Sequence, residues 1–187
     1  MSLLEIAAFV TSLIGVILGV LGPRTTWPWW NISSLLYAIL FFQSAYYASA
    51  ALQFIFIAGG FWGWFGWGKD GAKPRLSTNK ERVILLFILT VSSLALYPIL
   101  IEIGATSTAI ESFGFVGSVM AQILMVLQRF EAWPLWFVVD AAYTYQYLTG
   151  KLYLTSFLYL IFTVVAVWGL IRWQREARAN GLPKFIK

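Results

Sequence analysis

Residues 133–147, "WPLWFVVDAAYTYQY", set two indoles and a carboxylate at helical spacing. Trp133, Trp136 and Asp140 fall at i, i+3 and i+7, and Thr144 and Tyr147 continue the same stripe. Asp140 lies about 10 Å along the helix axis from Trp133, among apolar neighbours. A carboxylate so placed faces protein or water rather than lipid. Two indoles beside it suit a flat aromatic cation, held through its ring by cation–π attraction and through its charge by the aspartate. The competing structural readings are an aromatic belt at a membrane surface for the tryptophans and an interhelical hydrogen bond for Asp140. The depth of the carboxylate favours ligand contact.

Few other chemistries are open to this chain. It has no cysteine and no histidine, which excludes disulfides, Ser–His and Cys–His catalysis, and ordinary zinc or haem ligation. The run "GWFGWGKD" at 63–70 imitates a phosphate-binding loop, but Asp70 stands where that loop needs a hydroxyl. It also closes an apolar helix instead of joining a strand to a helix. Glu102 and Glu111 are a thin basis for a membrane enzyme, so no enzymatic activity and no cofactor are expected. Gln122, in the middle of an apolar stretch, can bond across helices or to a ligand. Tyr143 and Tyr147 can close a pocket or pack, and Tyr37 reads as packing.

The elements that position these residues must lie in a membrane. The 187 residues are 60% hydrophobic, 18% aromatic and only 11% charged, far more apolar than a soluble domain needs. Spanning roughly 30 Å of hydrocarbon takes about 20 apolar residues. Seven such stretches can be placed, near 3–22, 27–47, 49–67, 82–101, 109–128, 132–149 and 152–172. The longest polar segment, "GKDGAKPRLSTNKER" at 68–82, is loop-sized. The first stretch lacks a basic run before it and exceeds the apolar core of a secretion signal, so it is expected to persist as a helix.

If the seven alternate, Arg24, Lys69, Lys73, Arg75, Lys80, Arg82, Arg129, Arg172, Arg175, Arg178, Lys184 and Lys187 share one side, and only Lys151 lies on the other. The positive-inside rule then sets the C-terminus in the cytoplasm and the N-terminus outside. Anionic lipid head groups account for the net charge of +5, and no nucleic acid is needed.

Shifted by 106 residues, the chain matches itself. Glu5 falls on Glu111, Ser12 on Ser118, Trp27 on Trp133, Pro28 on Pro134, Trp30 on Trp136 and Tyr37 on Tyr143. Phe56 falls on Phe162, Gly63 on Gly169 and Trp67 on Trp173, and in all 19 of the 65 positions from 3 to 67 are identical. The chain is a tandem duplication. Three helices leave the chain on the opposite face, so the stretch 82–101 must return it if the copies are to run parallel.

The predicted architecture is all-α and integral to the membrane: seven transmembrane helices in a 3+1+3 parallel tandem repeat. Residues 1–68 make the first three-helix bundle, 69–108 a basic loop and linker helix, and 109–187 the second bundle with a cytoplasmic tail. In transporters built of parallel repeats, substrate sits near mid-membrane where the repeats meet. The first copy carries Ser34 in place of Asp140, so its Trp27 and Trp30 read as belt and packing.

The residues Gln122 to Met125, then Glu131, Trp133, Trp136, Asp140, Tyr147 and the stretch "GKLYLTSFLYLIFTVVAVWGLIRW" resemble the PnuC family of bacterial vitamin transporters, which are similar in architecture to the SWEET sugar transporters. "WGWFGW" at 62–67 likewise resembles the family's Y-G-W-x-x-W, with Trp62 replacing the tyrosine. The resemblance covers nearly the whole chain and is strongest in helices 5 to 7. It implies facilitated diffusion of nicotinamide riboside, or in relatives thiamine or riboflavin, across the bacterial inner membrane, with phosphorylation inside the cell trapping the vitamin.

The resemblance places substrate contacts on Trp133, Trp136 and Asp140, the last at a position where nicotinamide riboside members often carry Asn. The carboxylate keeps thiamine, also an aromatic cation, open as the alternative. Gln122, Tyr143, Thr144, Tyr147 and Trp64 complete the candidate site. The expected partners are a small-molecule vitamin and the lipid bilayer, with a homo-oligomer left open. A non-transporting membrane scaffold is the alternative of another class.

Overall fold

A computed structural model describes residues 3–43, 47–102, 108–151 and 153–179. Lys184 and Lys187, counted above toward the basic side, lie outside the described residues. Seven helices form among the described residues, with no strand: α1 (Leu3–Leu21), α2 (Thr26–Gln43), α3 (Tyr47–Gly66), α4 (Asn79–Glu102), α5 (Thr108–Val126), α6 (Ala132–Thr149) and α7 (Tyr153–Ala179). They follow the seven apolar stretches closely. α7 alone runs well past its predicted end at 172, because Arg172 pairs with Glu176 at i, i+4 (2.9 Å) and carries the helix beyond the apolar run.

Five of these helices, α1, α3, α4, α5 and α7, are long and apolar enough to cross a membrane. The other two, α2 and α6, carry Ser33, Ser34 and Asp140, which are buried inside the protein. Their hydropathy is lowered by residues that never meet lipid, so they complete the bundle by packing rather than by composition.

The packing reproduces the duplication. α1 lies against α2 and α7, α3 against α2 and α5, and α6 against α5 and α7. The shift by 106 turns α1 into α5, α2 into α6 and α3 into α7, and each of these contacts maps onto another. The six helices therefore close a ring with pseudo-twofold symmetry, and α4 stands outside it, against α5.

Local packing repeats as well. A Cβ on Gly63 would collide with the indole of Trp27, and one on Gly169 with that of Trp133. In each copy a glycine lets the third helix close on the tryptophan of the second. Trp67 meets Trp27 edge-on at 4.8 Å, as Trp173 meets Trp133 at 5.6 Å. These four indoles, with Met125 and Phe130, form the core at the basic end. Tyr37, Phe41, Tyr143, Tyr147 and Leu158 form a second core toward the other end.

The segment between α3 and α4 straps the basic end. Trp67 Nε1 donates to the Met125 carbonyl (3.2 Å), and Gln128 Nε2 to that of Gly66 (3.2 Å). Arg75 N–H donates to the Gln128 carbonyl, and the Arg75 carbonyl accepts from Phe130 N–H, both at 3.0 Å. Glu131, just before α6, accepts from the Ser77 backbone (3.1 Å), the Ser77 hydroxyl (2.9 Å) and Arg82 Nε (2.9 Å). Arg129 reaches Glu81 (2.9 Å) and the Leu76 carbonyl (3.0 Å). At the exposed tip of the strap, the hydrogen bond from Lys73, with its charge, holds the Asp70 carboxyl below its ordinary range.

Candidate functional site

A cavity of about 60 Å³ lies between the two repeats. The first repeat lines it with Ser12, Trp30, Ser33, Ser34, Tyr37, Gln53 and Phe56, and the second with Ser118, Trp133, Trp136, Asp140, Tyr159 and Phe162. Most of these are matched pairs under the shift of 106: Ser12 with Ser118, Trp30 with Trp136, Ser34 with Asp140, Gln53 with Tyr159, Phe56 with Phe162. The duplication has turned one face of a three-helix bundle into two facing walls.

The walls differ in chemistry. The first is rich in hydroxyls: Ser33 donates to Ser12 (3.3 Å), Ser34 is buried beside them, and Gln53 donates to the Ser49 carbonyl (3.4 Å). The second carries the only carboxyl group among the described lining residues, that of Asp140, which is 5% exposed. No cation pairs with it among the described residues. Above it stand the indoles: Trp30 and Trp136 have ring centroids 6.2 Å apart with planes tilted by 41°, and Phe56 meets Trp136 edge-on at 6.0 Å. Such a chamber offers ring faces, one carboxyl group and several hydrogen-bonding groups, without a lysine or arginine among the described lining residues.

Of the eight residues singled out in the sequence, Trp133, Trp136 and Asp140 line this cavity, and the other five lie outside the lining. The Thr144 hydroxyl donates back to the Asp140 carbonyl (2.7 Å), and the Thr144 carbonyl accepts from Ser156 of α7 (2.8 Å), so this residue ties α6 to α7. Tyr143 and Tyr147 stack at 5.6 Å, and Tyr147 also meets Tyr159 (5.1 Å) and Phe41 (6.2 Å). Gln122 sits one helical turn from Ser118, pressed against Gly59 of α3, and neither atom of its buried amide has a hydrogen-bond partner among the described residues. Trp64 lies toward the basic end, with the Arg24 guanidinium 4.0 Å above its ring.

The wall that sequence reasoning missed is the first-repeat one. Trp27 is fully buried in packing, but Trp30 lines the cavity, contrary to its reading as belt or packing. The signal was present: carrying Ser118, Trp136 and Asp140 back by 106 residues names Ser12, Trp30 and Ser34.

At about 10–15 Å³ of such space per water, the cavity has room for only a few water molecules. Ligand entry therefore requires the walls to part, and the matched helices of a twofold ring provide bodies that can do so.

A profile of the family described as nicotinamide mononucleotide transporter matches residues 2–175. The chain is 24% identical over 181 residues to the nicotinamide riboside transporter PnuC of Escherichia coli (strain K12), covering 80% of this chain and 76% of the other. It is also 24% identical over 189 residues to the riboflavin/roseoflavin transporter RibM of Streptomyces davaonensis, covering 93% and 87%. The fold is similar to that in the crystal structure of the vitamin B3 transporter PnuC, with a TM-score of 0.81 at 21% identity over 94% of this chain and 82% of that one.

Proposed function

The chain belongs to the nicotinamide mononucleotide transporter family, the PnuC group of multi-pass membrane transporters, and from that premise we propose that it carries nicotinamide riboside by facilitated diffusion across a bacterial inner membrane. The observation that supports this reading is the buried Asp140 beside the Trp30–Trp136 pair in an otherwise uncharged cavity. A pyridinium ring suits the indole faces, by up to about 2 kcal/mol of cation–π attraction when desolvated, and Asp140 offsets its charge. The serines and Gln53 of the facing wall suit the ribosyl hydroxyls.

A phosphate would meet Asp140 with no counter-charge in the lining, so the reading is of a nucleoside rather than a nucleotide. Gln122, whose amide is unsatisfied one turn from Ser118, joins the contacts once the repeats part. Thr144, Tyr143, Tyr147 and Trp64 act as supports for the walls and closures. The twelve-to-one division of basic residues supports a cytoplasmic basic end. In this orientation the tryptophan core closes the inner side and the tyrosine core the outer.

Riboflavin is the second reading, favoured by the extent of the match to RibM. A flavin is also a flat ring bearing a hydroxylated chain, but it is uncharged and leaves Asp140 without a role. Thiamine shares the cation but brings few hydroxyls to the serine wall. Calorimetry of the purified protein with nicotinamide riboside, nicotinamide mononucleotide, riboflavin and thiamine tests the order. The expected result is binding of the riboside with the mononucleotide at least about tenfold weaker. Binding of riboflavin alone would install the second reading, and binding of none would favour a scaffold.

A further inference from the structure

A second cavity, of about 210 Å³, lies toward the end of the bundle opposite the basic face. Its walls include Ser49 of α3, Leu96 and Leu100 of α4, Glu111 and Phe115 of α5, and Tyr143 of α6. It has more room than the central cavity, and Glu111 is the only charged group among the described residues of its lining.

The polar groups here are incompletely matched. Gln146 donates its Nε2 to Glu111 at 3.5 Å, at the long limit of a hydrogen bond, and its own Oε1 is buried with no partner among the described residues. A half-buried carboxylate on the wall of an apolar hollow suits a ligand that brings positive charge. Phe115 and Tyr143 supply ring faces for a flat one.

The duplication alone does not explain this hollow. Glu111 has a counterpart in Glu5, but α4 packs only on α5, so the wall made by Leu96 and Leu100 has no copy in the first repeat. Tyr143 separates the hollow from the centre. Its ring meets Tyr159, a residue of the central lining, at 5.5 Å, and Asp140 lies one turn away along α6. A Cβ on Gly114 would crowd the Tyr143 ring to 2.6 Å, so the tyrosine is seated on the backbone of α5 and moves when α5 and α6 part.

We propose that this outer cavity is an entry subsite, where Glu111 captures an aromatic cation from outside before Tyr143 yields and passes it to Asp140. The inference rests on the reading of the substrate as an aromatic cation and of the basic end as cytoplasmic. A carboxylate at the mouth raises the local concentration of a cation, an effect that salt screens.

The test is initial uptake of nicotinamide riboside into right-side-out vesicles. Glu111→Gln, which keeps shape and a hydrogen-bond acceptor for Gln146, should raise KM about fivefold at low ionic strength with maximal rate unchanged, and the gap should close at high salt. Glu111→Asp should recover most of the loss, and Glu5→Gln should leave KM unchanged. Equal KM for Glu111→Gln and wild type at both salt levels would overturn the subsite, as would a loss confined to maximal rate. Absence of riboside uptake by the wild type would instead overturn the functional reading and the subsite with it.

Discussion

Trp30 of α2 and Trp136 of α6, copies of one ancestral position, face each other across the central cavity with ring centroids 6.2 Å apart. Four residues after each stands the polar partner of its wall: Ser34 after Trp30, Asp140 after Trp136. The duplication kept the indole of the motif twice and left a carboxyl group on one copy only.

Asp140→Asn retains volume and hydrogen bonding and removes the charge. Affinity for nicotinamide riboside should fall about tenfold, while any binding of uncharged riboflavin should stay within about twofold. Removal of a buried charge that no cation pairs should leave thermal stability in detergent unchanged or higher. Calorimetry with both ligands and a melting curve check the three outcomes together.

Trp136→Ala should weaken riboside binding by about ten- to a hundredfold, and Trp136→Phe by less, since a ring face remains. Trp30→Ala should behave in the same way. If only the second-repeat indole matters, the facing-wall description of the site is wrong. Titrations of the three variants decide it.

Gly63→Ala and Gly169→Ala each force a methyl into an indole, Trp27 in the first case and Trp133 in the second. Each should destabilise the protein by about 1–3 kcal/mol. Only Gly169→Ala should also weaken ligand binding, because Trp133 lines the cavity and Trp27 does not. Melting curves and titrations of the pair separate the two effects.

Glu131→Gln cuts the strap. The lost charge-assisted bonds to Arg82 and Ser77 are worth about 1.5–3 kcal/mol each at most, less for the partly exposed ones. The strap should then be cut faster by trypsin at Lys69, Arg75 and Lys80, while riboside affinity is retained. Timed digestion followed by mass spectrometry reads both the rate and the sites.

Helix number, most helix ends and the parallel repeat were legible because hydrocarbon thickness and the shift of 106 constrain them directly. Trp133, Trp136 and Asp140 were legible for a related reason: a carboxylate in an apolar helix has few physical justifications. The extension of α7 was missed because Arg172 reads as a membrane boundary, although a helix can continue into water on an Arg172–Glu176 pair. Ser33 and Ser34 looked like ordinary helix residues, since small hydroxyls serve close packing as readily as ligand contact. The Arg75–Phe130 pairing joins loops far apart in sequence, and no local pattern announces it. Thr144 and Tyr147 share a helical stripe with Asp140, but the cavity is short and the stripe runs past its end into the tyrosine core.

The small central cavity between two aromatic cores also bears on the energy of the host membrane. A carrier that leaves a continuous thread of water would let protons run down their gradient. Here the indoles of Trp27, Trp67, Trp133 and Trp173 on one side and the rings of Tyr143 and Tyr147 on the other bracket the central cavity, so the two buried aromatic cores themselves oppose a water thread through the bundle.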